Sequence, residues 1–360
     1  MTKAKGHILP FFIPHLGCPQ KCIFCDQRTI SGRSKLPTAA EIANSMAENK
    51  GKNCQLAFYG GSFTAMPEEK QVYYLRVAKA GLDAGFISGV RISTRPDCID
   101  EEMIERLKQY GVDTVELGVQ SLNDETLQLA KRGHDAAAAL QSVRLLKKCG
   151  LTVGVQLMPG LPGEDEKSII CGAKEILAEK PHLLRIYPAV VVKNTEMAAM
   201  YQRGDYVPLS LEKAVELSAK ITLWAAYYGV NVIRTGLNTD EHLAEEVLAG
   251  PYHPAFGHLV KSYIWRQKVL WAIAEFGIIN PNDEIAEVFA DKSCLPMVFG
   301  QNSANKEYYR KAAANDRLRI RGFNEKFSGG KDDIIVVGKD GGVCRRRSED
   351  FLQYFVGKPY

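Results

Sequence analysis

The first 190 residues alternate between short, nearly continuous apolar runs and longer amphipathic stretches. The apolar runs near 8–14, 55–60, 89–94, 113–119, 152–158 and 183–191 predict strands. Segments such as LAFYG (56–60), TVELGV (114–119) and TVGVQL (152–157) are what parallel strands buried on both faces require. Helical patterns fall between and after them, near 39–49, 67–84, 100–109, 123–149, 165–179 and 210–229. Pro37-Thr38 opens the first, and Gly111, Gly150 and Gly229 each close one, since glycine takes the left-handed position after a helix without a Cβ penalty. Strand–helix alternation at this spacing means βαβ units with right-handed crossovers. The predicted class is α/β, a partial (βα)6 TIM-like barrel, with a doubly wound sheet as the other arrangement. Both gather ligands at the C-terminal ends of the strands. A last strand candidate, VNVIRTGL, lies at 230–237, and the pattern then turns mixed: a loop at 250–257, a helix over 258–277, and a tail with a short helix and strands such as DIIVVG (333–338). The expected division is a core barrel over 1–240 and an α+β extension over 241–360 that binds substrate.

Composition narrows the class. The 360 residues are 46% hydrophobic and 24% charged, which excludes a disordered chain, a collagen-like fibre and a disulfide-dense mini-protein. Net charge is +4, but residues 301–360 carry 13 Lys/Arg against 8 Asp/Glu, while the first 300 hold 33 against 34. The basic tail (Lys306, Arg310, Lys311, Arg317, Arg319, Arg321 and Arg345–Arg347) points to a polyanionic partner such as RNA; a solvated face is the plainer reading. No apolar run approaches the roughly 18–20 residues that span a bilayer. The basic start Met1–Gly6 is followed by prolines at 10 and 14 and no small-residue cleavage site, which argues against a signal peptide. The expected location is the cytoplasm.

Nine cysteines, an odd number in such a chain, do not suggest a disulfide framework. Three crowd into eight residues, Cys18-Pro-Gln-Lys-Cys22-Ile-Phe-Cys25, directly after the first predicted strand. That places C-x3-C-x2-C in the first βα loop, on the face where ligands collect. Iron–sulfur clusters are held by cysteine thiolates, normally four. No fourth cysteine has a nearby spacing: Cys54 precedes a strand, at the opposite end, and Cys98 follows the third strand. Three ligands on a four-iron cluster leave one iron open, the mark of a catalytic metal site. A zinc site, with His15 three residues before Cys18, or plain reactive or structural thiols are the alternatives on spacing alone.

Further motifs carry a resemblance. Tyr59-Gly60-Gly61-Ser62-Phe63-Thr64 ends the second strand. Ser93-Thr94-Arg95-Pro96-Asp97, Val115-Glu116-Leu117-Gly118-Val119-Gln120-Ser121, Lys131-Arg132-Gly133-His134 and Met158-Pro159-Gly160-Leu161-Pro162-Gly163 follow, then Arg185-Ile186-Tyr187-Pro188 and Gly204-Asp205-Tyr206. With the cysteine triplet, roughly residues 8–235 resemble the radical S-adenosylmethionine (SAM) superfamily. The branch resembled is the bacterial relatives of the radical SAM core of the Elongator catalytic subunit. The Gly-Val-Gln-Ser and Gly-Leu-Pro-Gly elements are shared with oxygen-independent coproporphyrinogen oxidases. Two features depart from the Elongator type. Only three residues separate Cys18 from Cys22, and the tail has no clear acetyl-CoA phosphate loop, so no acetyltransferase domain is expected in it.

The resemblance implies a radical SAM barrel in which Cys18, Cys22 and Cys25 ligate a [4Fe-4S] cluster whose open iron chelates SAM. It implies that Gly60, Gly61 and Ser62 approach the methionine amine, that Phe24 lies beside the adenine, that Gln120 and Gln156 contact the ribose, and that Arg132 pairs with the methionyl carboxylate. Glu116 joins this set, although a buried carboxylate is costly unpaired, so Arg95 or another cation is expected beside it. Tyr187, Arg185 and His134 are the substrate-side candidates. The implied reaction is reductive cleavage of SAM to a 5′-deoxyadenosyl radical that abstracts hydrogen from substrate, with a ferredoxin or flavodoxin as electron donor. RNA, tRNA first, is the expected substrate; a tetrapyrrole-related small molecule and a non-catalytic zinc-binding module are the alternatives.

Overall fold

The computed structural model describes residues 7–14, 16–18, 22–26, 35–237 and 241–357. Met1–Gly6 and His15, invoked above, lie outside the described residues. The chain divides into two compact units, one formed by Met1–Ala214 with Tyr228–Pro254, the other by Val215–Tyr227 with Ala255–Tyr360.

In the first unit the apolar runs become strands β1 (His7–Ile13), β2 (Cys54–Gly60), β3 (Gly89–Thr94), β4 (Val112–Gln120), β5 (Thr152–Leu157), β6 (Leu183–Ile186), β7 (Val191–Val192) and β8 (Asn231–Thr235). All but β7 join one parallel sheet in the order β1-β2-β3-β4-β5-β6-β8. This is the curled half-barrel of an α/β fold, with the 230–237 run supplying a seventh strand. The first helix, Ala39–Glu48, starts on the Thr38 capping box, in which the Thr38 hydroxyl accepts from Glu41 N–H and the Glu41 carboxylate accepts from Thr38 N–H.

Two expected elements are broken, each for a local reason. The run 183–191 is not one strand. Pro188 has no N–H for the ladder, so β6 stops at Ile186 and the chain peels away. Tyr187 N–H then donates to Leu157 O (2.9 Å) and Ala189 N–H to Pro159 O (3.0 Å). Beyond the break β7 pairs antiparallel with β9 (Val247–Ala249). The helical pattern 123–149 is two helices, Asp124–Leu129 and Ala136–Lys148. Lys131 (φ +53°) and Gly133 (φ +72°) take left-handed backbone between them, and Asp135 starts the second helix by accepting from Ala138 N–H.

The second unit holds a four-stranded sheet, β11-β10-β12-β13, built from β10 (Ile285–Ala290), β11 (Arg319–Gly322), β12 (Ile334–Gly338) and β13 (Val343–Arg346). Trp265, Val269 and Phe276 of the helix Phe256–Ile279 pack with Val288, Val336 and Tyr309 in its core. The sheet engages part of the basic tail. Arg319 and Arg321 both reach Glu287 Oε1 (3.0 and 2.8 Å), and Arg346 reaches Glu275 (2.9 Å). Among the described residues no helix is long and apolar enough to cross a membrane.

Candidate cofactor site

The cysteine loop leaves β1 and is fastened by a set of backbone hydrogen bonds. Ser62 N–H donates to Leu16 O (3.2 Å), Ile23 N–H to Ala130 O (3.3 Å) and Met197 N–H to Ile23 O (2.8 Å), while Cys25 N–H closes a turn on Cys22 O (3.1 Å). Two glycines make the first contact possible. A Cβ on Gly61 would lie 2.0 Å from Leu16 O, and one on Gly17, which sits at φ +77°, would lie 2.2 Å from Ser62 O. The two loops interlock through bare backbone, with Cys18 Sγ 3.9 Å from Ser62 Oγ. Beneath them Ile23 and Phe24 pack with Ala130, Leu161, Val191, Met197 and Tyr206. Gly61→Ala is therefore expected to force the loops apart. Overpacking of this kind costs about 1–3 kcal/mol, readable as a lower urea midpoint and faster exchange of the Ser62 amide. An unchanged Ser62 amide would refute the interlock.

The break between the two helices brings Arg132 to the loop. Its Nη1 donates to Cys22 Sγ (3.0 Å) and its Nη2 to Gly118 O (2.5 Å), and the guanidinium lies 5.8 Å from the Phe24 ring centre. Its Nε is buried with no hydrogen-bond partner among the described residues. Gly118 leaves the space: a Cβ there would lie 2.9 Å from Gln120 Nε2 and 3.2 Å from Arg132 Nη2. Gln120, at φ +71°, follows a register shift at the end of β4, and its Oε1 accepts from Gln156 Nε2 (3.1 Å). Cys22, Gln120, Arg132 and Gln156, far apart in sequence, are thus linked through Gly118.

Glu116 lies deeper on the same sheet. Its partner is not Arg95, which forks onto Asp97 (2.9 and 2.6 Å) just past the end of β3. Arg91 Nη1 donates to Glu116 Oε1, and Arg185 grips both oxygens (Nε to Oε2, 2.6 Å; Nη2 to Oε1, 3.0 Å). Arg185 also donates to the hydroxyls of Tyr59 (3.0 Å) and Tyr187 (2.9 Å), and Tyr59 donates to Glu116 Oε1 (3.4 Å). Gly154 on the neighbouring strand makes room, since a Cβ there would lie 2.9 Å from Glu116 Cγ. Burial first, then Glu116, pushes the Tyr59 phenol up to about 12. Burial alone would pull the Arg185 guanidinium down, but Glu116 more than offsets it and holds it above its ordinary value. Two of the substrate-side candidates, Arg185 and Tyr187, are thus members of a buried ion cluster.

The third, His134, is enclosed: its side chain has no exposure. Its Nε2–H donates to Val119 O (3.2 Å), while Nδ1 sits 3.9 Å from Asp97 Oδ1 and has no hydrogen bond among the described residues. Burial, then the Arg132 charge, pushes it down to about 4. The sequence reading missed Glu164, whose position directly after Leu161-Pro162-Gly163 was the available signal. Ser121 Oγ–H donates to its Oε1 (2.5 Å) and Gly160 N–H to its Oε2 (3.1 Å), yet burial outweighs these bonds and raises its carboxyl to about 7.

These two groups oppose each other in pH. His134 takes its proton near 6.5 when unfolded and near 4 when folded, so its contribution is complete above about 6.5 and is lost as pH falls toward 4. Glu164 loses its proton near 4.5 when unfolded and near 7 when folded, so its contribution is complete below about 4.5 and is lost as pH rises toward 7. Each is worth about 3 kcal/mol across its window. Their slopes nearly cancel between pH 4.5 and 6.5. Relative to the parent, His134→Gln is expected to lose stability as pH rises through that window and Glu164→Gln to gain it. Parallel urea midpoints for all three would disprove both assignments.

The Radical SAM superfamily matches residues 12–170, and the Radical_SAM C-terminal domain matches 181–266. The chain belongs to the radical SAM superfamily. An uncharacterized protein of Methanocaldococcus jannaschii is 34% identical over 218 residues, covering 56% of this chain and 67% of that protein. The tRNA uridine(34) acetyltransferase of the same organism is 34% identical over 183 residues, covering 45% of this chain and 34% of the relative. Human Elongator complex protein 3 is 30% identical over 196 residues, 48% of this chain and 36% of that protein. The chain spans about a third of these two named relatives. The solved archaeal Methanocaldococcus infernus Elp3 with an N-terminal deletion shares the fold, with a TM-score of 0.61 at 23% identity, covering 74% of this chain and 64% of that one. The protein is a radical SAM enzyme.

The donor set fits the cofactor that this family implies. Three thiols lie on one anchored loop, a cationic N–H points at one of them, and an unpartnered buried donor, Arg132 Nε, lies beside them. Among the described residues no three Cys, His, Asp or Glu side chains already converge on a metal position, so the ligand set belongs to the proposal below. Burial and then Asp97 push the Cys98 thiol up to about 11.

Proposed function

We propose that Cys18, Cys22 and Cys25 hold a [4Fe-4S] cluster, that SAM binds its open iron, and that the substrate is RNA, tRNA first. The observation that carries the site is the cysteine loop interlocked with Gly60-Gly61-Ser62 at the C-terminal ends of β1 and β2, beside the Arg132–Gln120–Gln156 group. Bound there, the cluster and SAM supply one-electron cleavage to a hydrogen-abstracting 5′-deoxyadenosyl radical. The chain supplies placement. Bare backbone at Gly60 and Gly61 admits the SAM amine. Arg132 offers its free Nε–H to the carboxylate. The Gln120 and Gln156 amides present donors and acceptors to the ribose, and Phe24 lies beside the adenine. In the Glu116–Arg91–Arg185 cluster two guanidinium groups share one carboxylate, which leaves a net positive charge beneath the site. A ferredoxin or flavodoxin is the expected reductant.

The relatives named as tRNA uridine(34) acetyltransferases support the RNA substrate. The basic excess of residues 301–360 supports phosphate contact, less strongly once the pairs on Glu287 and Glu275 are counted. Anaerobic reconstitution with iron and sulfide, then SAM and dithionite, is expected to yield 5′-deoxyadenosine. A chain that takes up zinc alone, or gives no 5′-deoxyadenosine, refutes the chemistry. RNA retention is expected to weaken with salt by roughly 0.7–0.9 log units per log unit of salt for each phosphate contact, and a deletion strain is expected to lack a modified nucleoside. Cleavage of SAM with flat salt dependence and an unchanged nucleoside profile would move the substrate to a small molecule of tetrapyrrole type.

A further inference from the structure

We infer that Arg132 sets the reduction potential of the cluster by donating a charge-assisted hydrogen bond to the Cys22 sulfur. The inference rests on the cluster ligation proposed above. Arg132 Nη1 lies 3.0 Å from Cys22 Sγ, whereas the neighbour of Cys18 Sγ is the neutral Ser62 hydroxyl at 3.9 Å. Arg132 is only 6% exposed. It is fixed by the bond to Gly118 O and by the backbone break at Lys131 and Gly133, and it fills the space that Gly118 leaves. A fixed cation away from water acts on a nearby charge with little screening.

One-electron reduction adds negative charge to the cluster and its sulfurs, and no proton need move. A cationic N–H aimed at a ligating sulfur stabilises that reduced form more than the oxidised one, so it raises the potential; hydrogen bonds to sulfur and net charge are established levers on such clusters. The unpartnered Nε matters here. A carboxylate accepting from Nε leaves the Nη1–Sγ bond in place, so one guanidinium can serve SAM and sulfur together.

The test uses the full chain, reconstituted anaerobically without SAM and titrated against dithionite with redox mediators, the reduced cluster being read by electron paramagnetic resonance. Arg132→Met, which removes charge and donor, is expected to lower the midpoint potential. Arg132→Lys keeps the charge but not the fork, and is expected to fall between Arg132→Met and the parent. Parental potentials in the loaded variants would overturn the inference. If Arg132→Met takes up no iron, Arg132→Lys decides alone, and a parental value overturns it. Loss of iron from both, with circular dichroism unchanged, also overturns it, because Arg132 would then serve cluster retention and not potential. Failure of the parent to bind a cluster or cleave SAM would instead defeat the proposed function, so the two failures are distinguishable.

Discussion

A Cys22→Ala variant is expected to fold, yet to lose its iron and its 5′-deoxyadenosine production together. Two thiols leave a second iron of a four-iron cluster without a protein ligand, and a cluster so exposed is lost or oxidised. The polypeptide has less to lose. Its loop is held by backbone hydrogen bonds at Leu16, Ile23 and Cys25 that the substitution does not touch. The main structural cost is the Arg132 N–H left without its sulfur acceptor, about 1–3 kcal/mol. Iron and sulfide per chain, product yield and far-ultraviolet circular dichroism read the three effects separately. Cys98→Ala is the control: Cys98 lies outside the C-x3-C-x2-C loop, and its replacement is expected to keep both iron and product. Full iron and product in Cys22→Ala, or their loss in Cys98→Ala, would reassign the ligands.

Glu116→Gln is expected to produce the largest loss of stability of any conservative change in the barrel. The substitution keeps the shape and removes the one carboxylate that Arg91 and Arg185 share. Breaking a buried pair by removing one partner costs about 3–5 kcal/mol, because an uncompensated charge is left behind. Here two guanidinium groups lose their counter-charge, and the amide NH2 that replaces Oε2 faces the Arg185 Nε–H donor. Urea unfolding reads the loss. Replacing the whole cluster with apolar residues (Arg91→Met, Glu116→Leu, Arg185→Met) is expected to recover part of it, since no buried charge then lacks a partner. A loss below about 1 kcal/mol would mean that water screens the cluster as it does surface pairs.

Much of this site was legible before the fold was known, because its parts are local. Alternating apolar and amphipathic runs encode a parallel sheet through the period of the backbone itself. The position of C-x3-C-x2-C after the first run follows from chain order, as does that of Gly60-Gly61-Ser62 after the second. Gln120 ends β4 and Gln156 lies one residue before the end of the neighbouring β5 for the same reason.

What was not legible depends on where separate segments meet. Arg91 sits two residues before the Ser93–Asp97 motif and Arg95 within it, and both fit a carboxylate partner. Strand register decides between them: Arg91 lies within β3 opposite the strand that carries Glu116, while Arg95 lies past its end and turns to Asp97. Arg185 reaches Glu116 across 69 residues of sequence. The helical period over 123–149 hid the break at Lys131–Gly133 that delivers Arg132 to Cys22, since periodicity continues on both sides of it. The apolar run over 183–191 hid the loss of one N–H at Pro188. Which elements form and which loop carries the thiols can be read from the chain, because short-range sterics and burial set both. Which charges meet, which histidine and carboxyl are buried against their charge, and which cation faces sulfur are settled by the packed fold, because those energies exist only once distant strands are side by side.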